Sequence, residues 1–83
     1  AAAVVAWVDG VFRFEDISLE DLARRLERWY DVPFSFREEG LKRRRFSGGF
    51  HRHESLERVS RLIGEVVEAR FRVSRDTIVV EAR

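Results

Sequence analysis

The sequence predicts an α+β domain: two βαβ-type halves with an added N-terminal hairpin strand, and two helices packed on a small mixed sheet. Three observations predict it. Aromatic and aliphatic residues alternate with polar ones in a series of short segments, the period of a half-buried strand. Two stretches instead place their apolar residues three and four apart, the period of an amphipathic helix. These two stretches also begin alike, because Ser18-Leu19-Glu20-Asp21-Leu22-Ala23-Arg24 is echoed about 37 residues later by Ser55-Leu56-Glu57-Arg58-Val59-Ser60-Arg61. Each copy follows a Phe-bearing strand and precedes another, so the order is strand–helix–strand, twice. Two helices on one face of a small sheet are the economical cover for such aromatic stripes.

The chain opens with Val4-Val5-Ala6-Trp7-Val8 and Val11-Phe12-Arg13-Phe14-Glu15 around Asp9-Gly10. Asp-Gly between apolar runs favours a two-residue type I′ turn, since both central positions need positive φ. Such a loop sets Val8 opposite Val11, Trp7 opposite Phe12 and Val5 opposite Phe14. Val5, Trp7, Phe12 and Phe14 then share the buried face.

A helix follows. Ser18 with Asp21 three residues on approximates a capping box, with Asp16 as a rival N-cap. Leu19, Leu22, Ala23 and Leu26 form its stripe, closed by Trp29 or Tyr30. The far side pairs Glu20 with Arg24 and Asp21 with Arg25 at i,i+4. Asp31-Val32-Pro33 ends it, because proline drives the preceding residue out of the helical region.

Phe34-Ser35-Phe36 reads as a short strand and Glu38-Glu39-Gly40 as a turn. A longer strand is predicted from Arg43 to His51. Phe46, Gly48 and Phe50 take one parity, while Arg43, Arg45, Ser47, Gly49 and His51 take the exposed one. Gly48-Gly49 suggests a bulge or a close backbone approach there. The second helix is predicted from about Glu54 to Val67, with Leu56, Val59, Leu62, Ile63 and Val66 inward and Glu54–Arg58 and Glu57–Arg61 outward. Ala69–Ser74 and Thr77–Glu81 close the chain around Arg75-Asp76, with Phe71, Val73, Ile78 and Val80 pointing one way.

Composition narrows the function. Eighty-three residues make one domain, and seven Phe, two Trp and one Tyr among 45% hydrophobic residues argue against disorder. Sixteen basic residues against fifteen acidic leave a net charge of +1, where a phosphate-gripping domain carries a clear basic excess. Lys42 is the only lysine, and Cys, Met, Asn and Gln are absent. The opening Ala1-Ala2-Ala3 carries neither an initiator Met nor a signal segment, so the chain reads as a piece of a longer protein.

Candidate chemistry is sparse. His51 and His53 share a strand face but lack a nearby third ligand, which points to an exposed pair rather than a metal site. Glu38-Glu39 beside Gly40 reads as a solvated turn, not an acid–base pair. Ser47 has no base beyond His51, and Gly48-Gly49 lacks the following helix with Lys-Ser/Thr of a phosphate loop. No enzyme, cofactor or metal is expected. Trp29-Tyr30 could stack a sugar or base, but a helix-end aromatic pair more often seals a core edge. The run Lys42-Arg43-Arg44-Arg45 reads first as a solvated strand start that discourages edge aggregation, then as a surface for an acidic protein. Single-stranded nucleic-acid binding through Trp7, Trp29 and this run is a weaker alternative that the balanced charge disfavours. An Arg-rich polar face beside a Gly-Gly weakness makes Arg43, Arg45, Ser47 and His51 the candidate partner-binding residues, through strand addition at a sheet edge.

Several blocks together are similar to the C-terminal periplasmic domain of FecR-type anti-sigma regulators. They are Trp7-Val8-Asp9-Gly10-Val11-Phe12-Arg13-Phe14, Leu26-Glu27-Arg28-Trp29-Tyr30-Asp31-Val32, Phe46-Ser47-Gly48-Gly49-Phe50, the helix start Ser55-Leu56-Glu57 and Thr77-Ile78-Val79-Val80. The Arg28-Trp29-Tyr30-Asp31 block is the specific part, and the likeness runs over about residues 5 to 81. Its Lys42–Arg45 run is more basic than that pattern. The resemblance implies a fold akin to the secretin-and-TonB N-terminal domain. It also implies a periplasmic, non-catalytic interaction module of a parent chain that crosses the inner membrane upstream. Its implied partner is the N-terminal signalling domain of a TonB-dependent outer-membrane receptor, and the isolated domain is expected to be monomeric. The alternative is a ring-forming structural module of the secretin type, which would self-associate.

Overall fold

The computed structural model describes residues 4–8, 11–51 and 53–83. In chain order the elements are β1 (Val4–Val8), β2 (Val11–Ser18), α1 (Leu19–Tyr30), β3 (Phe34–Phe36), a 3-10 turn (Glu39–Arg43), β4 (Arg45–His51), α2 (Leu56–Val67), β5 (Ala69–Ser74) and β6 (Thr77–Ala82). The α+β class, the two βαβ units and the added N-terminal strand are as the sequence predicts. The strands, however, form two three-stranded sheets, an antiparallel β1-β2-β4 and a mixed β3-β6-β5. Each unit, β2–α1–β3 and β4–α2–β5, starts in the first sheet and ends in the second. The division arises because β6 inserts between β3 and β5, parallel to the first and antiparallel to the second. β2 and β4 pair directly with each other.

The β1–β2 register is the predicted one, with Val8 opposite Val11, Trp7 opposite Phe12 and Val5 opposite Phe14. The Asp9-Gly10 turn lies outside the described residues.

The sequence repeat is a repeat of backbone geometry. Ser18 and Ser55 are the N-caps, at φ −69°, ψ 149° and φ −72°, ψ 150°. Each hydroxyl accepts a hydrogen bond from the backbone N–H three residues on, Asp21 and Arg58, both at 3.2 Å. Both helices are 12 residues long and both end on a left-handed residue, Asp31 (φ 54°) and Glu68 (φ 56°). Because Ser55 takes the cap, α2 begins at Leu56 rather than at Glu54. The Glu27 carboxylate reaches back past the end of α1 to accept from the Phe34 N–H at 2.7 Å, fixing where β3 starts.

One core joins all layers. Leu19, Leu22, Ala23 and Leu26 of α1 and Val59, Ile63 and Val67 of α2 meet Phe14, Ile17, Phe46 and Phe50 of the first sheet. Ala69, Ile78 and Val80 of the second sheet complete it. The predicted α2 stripe is corrected: Leu62 and Val66 are 43% and 52% exposed, while Ser60 and Gly64 are buried. The reason is a close approach, since a Cβ on Gly64 would stand 2.7 Å from the Ala69 carbonyl oxygen. Lying on its small residues rotates the helix and turns Leu62 and Val66 outward. Val73 shares the parity of Phe71 but is 71% exposed.

The irregularity expected at Gly48-Gly49 falls on the strand opposite. Phe14 pairs with Gly48 and Ile17 with Phe46, which leaves one extra residue on β2, and Asp16 takes a left-handed φ of 52°. Gly48 makes room for the Phe46 ring, whose Cζ would be 2.7 Å from an added Cβ, and that ring stacks on Phe50 at 5.5 Å. Ion pairs Glu20–Arg24, Glu54–Arg58 and Glu57–Arg61 form as predicted, whereas Asp21 pairs with Arg24 at 3.3 Å rather than with Arg25.

The Gly64 contact yields a test. Gly64→Ala, which would drive a methyl against the Ala69 carbonyl, is expected to cost about 1–3 kcal/mol. Gly40→Ala, with nothing within 4 Å, should change stability by less than about 0.5 kcal/mol. Urea unfolding midpoints of the two variants check the contrast.

Candidate partner-binding surface

The basic run is the densest charge in the chain, and the fold employs three of its four side chains. Lys42 Nζ stands 3.2 Å from Glu39 and 4.0 Å from Glu20. The Arg44 guanidinium donates to the carbonyls of Val67 and Glu68, the latter at 2.9 Å, at the C-terminal end of α2. Arg45 donates to the Asp16 carbonyl at 3.1 Å, with its Nε 3.7 Å from that residue's carboxylate. Only Arg43 has no hydrogen-bond or ion-pair partner among the described residues.

The four predicted partner-binding residues therefore separate. Arg43 is not on the strand. Leu41, buried at 2% exposure, anchors the 3-10 turn, and the Arg44 N–H donates to its carbonyl at 3.2 Å, so β4 begins at Arg45. Arg45, Ser47 and His51 do share the exposed face of β4. Ser47 Oγ accepts from the Asp16 N–H at 3.0 Å, so Arg45 and Ser47 together hold the β2 bulge. His51 is exposed at the strand end. β4 is an outer strand of its sheet, paired only with β2 among the described strands. No three His, Asp or Glu side chains converge in a metal-sized group among the described residues.

A second feature adjoins His51. Trp29 stacks on Phe12 at 4.4 Å and lies 5.9 Å from Phe14, yet remains 40% exposed. Tyr30 turns the other way and its hydroxyl donates to the Glu54 carbonyl at 2.6 Å, tying the end of α1 to the start of α2. Adjacent helix residues point in different directions, so the two rings meet different parts of the neighbouring sheet and helix. Between them lies a cavity of about 510 Å³, lined by Phe12, Leu26, Trp29, Tyr30, Phe50 and Val59 together with His51. Sequence reasoning assigned Phe12, Phe50 and Val59 to the core alone. The signal for a groove was the Trp-Tyr pair itself.

This arrangement can be set beside known proteins. The family described as FecR, C-terminal, matches residues 11–80. The chain belongs to the FecR C-terminal family. All elements from β2 to α2, with β5 and most of β6, fall inside the match, and β1 lies before it. The fold of this FecR C-terminal domain is also similar to the crystal structure of a proposed anti-sigma factor from Parabacteroides distasonis, with a TM-score of 0.80 and 22% identity. That similarity covers 93% of this chain and 36% of the other, so the domain spans about a third of that protein's length. No curated protein matches the sequence. No helix among the described residues is long and apolar enough to cross a membrane.

Tyr30 reports on the groove. Its phenol is pushed above the ordinary value of 10.0 by burial first and by the Glu54 charge second. The folded state thus holds this proton more tightly than the unfolded chain, so the contribution is fully present below pH 10 and is lost as pH rises through the raised pKa. Because Tyr30 is the only tyrosine, its ultraviolet titration is unambiguous. The folded midpoint should lie above that of the urea-unfolded chain; coincident midpoints would contradict the geometry.

Proposed function

We propose that this domain is the receiving module of an anti-sigma regulator. It sits in the periplasm as part of an inner-membrane protein and binds the N-terminal signalling domain of a TonB-dependent outer-membrane receptor. Membership of the FecR C-terminal family over residues 11–80 supports this reading. Of the candidate residues, Arg45 and Ser47 are engaged in holding a bulge, and His51 and His53 are exposed.

The observation that carries the binding mode is the outer position of β4 beside the Phe12–Trp29–Phe50 groove. An edge strand presents backbone donors and acceptors to an incoming strand, which supplies affinity, while an adjoining pocket selects side chains. His51 belongs to both features. Arg45, Ser47 and His51 flank the incoming strand, and Arg43 lies just ahead of it.

The test is an amide NMR titration with receptor N-terminal signalling domains from the source genome. Shifts should concentrate on residues 45–51 and on the Trp29 indole. Perturbation confined to the outer faces of the helices would remove β4 from consideration, and no binding by any such domain would contradict the reading. Sedimentation at two concentrations separates the alternative, because a ring-forming module self-associates and this adaptor stays monomeric.

A further inference from the structure

A larger groove, about 560 Å³, runs between α2 and β5 on a different part of the surface. Its apolar lining includes Leu56, Phe71, Val73 and Ile78. Val73 is the most exposed large hydrophobic among the described residues, at 71%. The close approach of α2 to the chain is at Gly64 and Ala69, at the start of β5, and Val73 lies four residues further along the strand.

Two further observations fall in the same groove. Ser60 lines it at 8% exposure, and its hydroxyl is the one buried side-chain polar atom without a hydrogen-bond partner among the described residues. Its oxygen is closed off from the groove, so Ser60 contributes small bulk to the wall rather than a free donor. The charged lining is also unbalanced. Arg61, Arg70 and Arg83 face it against Glu57 alone. Glu57 is shared with Arg61 at 3.6 Å. Glu81, across the ladder from Arg70, pairs with Arg72 at 3.4 Å instead. Arg70 and Arg83 therefore have no acidic partner among the described residues.

We propose that this groove is a second docking site, for an extended peptide segment of a partner protein that presents an apolar side chain flanked by carboxylates. The apolar residue packs on Leu56, Phe71 and Val73. A carboxylate meets Arg70, a site suited to charge-assisted hydrogen bonds. The outer position of β5 in its sheet leaves backbone groups along the same groove for an extended chain. The site is separate from the β4 edge and stands whether or not a receptor binds there.

The probe is the acetylated, amidated hexapeptide Glu-Val-Leu-Val-Asp-Glu, titrated into the 83-residue domain by amide NMR, with Lys in place of each acidic residue as control. Saturable shifts should fall on residues 56–64 and 69–78, and the Lys peptide should not bind. Arg70→Glu should abolish the shifts. The amide spectrum of the free Arg70→Glu variant establishes that it is folded. The proposal is overturned if no saturable shifts appear, if they fall on β4 or the Trp29 groove, if the Lys peptide binds equally, or if the folded Arg70→Glu variant binds as the parent does.

Discussion

Arg44 is the residue on which the arrangement of the two halves depends. A helix leaves its last four carbonyls without intrahelical partners. At the end of α1 a local cation, Arg28, lies in the last turn, but α2 has no basic residue there. Arg44, from the segment that precedes β4, supplies the missing charge by donating to the Val67 and Glu68 carbonyls. Its own carbonyl accepts from the N–H of Leu19, the first residue of α1, at 2.8 Å. One residue thus closes the end of the second helix and the start of the first. Hydrogen bonds from a charged donor contribute about 1.5–3 kcal/mol, and a partly buried cation at a helix C-terminus up to about 2 kcal/mol. These overlapping effects are large beside the 0.2–1 kcal/mol of the exposed ion pairs on the helix surfaces.

That employment of charge shapes what the domain can recognise. Lys42, Arg44 and Arg45 are turned toward Glu39, the α2 terminus and the β2 bulge. The run that looks most like a polyanion-binding patch in the sequence is largely consumed by the fold. The net charge is only +1, and the features left open on the surface are strand edges and partly apolar grooves. The interior explains why such edges remain. Because both βαβ units cross from one sheet to the other around a single core, each sheet stays small and has two outer strands, β1 and β4 in one and β3 and β5 in the other.

Local chemistry was legible in the sequence and tertiary destinations were not. Asp9-Gly10 implied the β1–β2 register, and Ser18 marked the start of α1, because turns and caps are decided within a few residues; the start of α2 was placed two residues early, at Glu54. The 37-residue echo gave the two βαβ units. By contrast, Leu62 and Val66 extend the α2 stripe as plausibly as Ser60 and Gly64, and only the contact of Gly64 with Ala69 across the turn decides the rotation. Arg43 was placed on the strand because alternation continued through it, while the buried Leu41 holds that stretch in a 3-10 turn. Arg44 and Arg45 find partners 24 and 29 residues away, a distance at which periodicity carries no information. The aromatic groove was half visible, since Trp29-Tyr30 stood out as a pair but its walls, Phe12 and Phe50, read as ordinary core positions.

The most direct measurement of this account compares Arg44→Ala with Arg43→Ala in urea unfolding. If Arg44 joins the halves, its removal lowers stability by about 1.5–3 kcal/mol, while Arg43, without a partner among the described residues, changes it by less than about 0.5 kcal/mol. Equal and small effects at the two positions would contradict the account and return the basic run to the exposed surface.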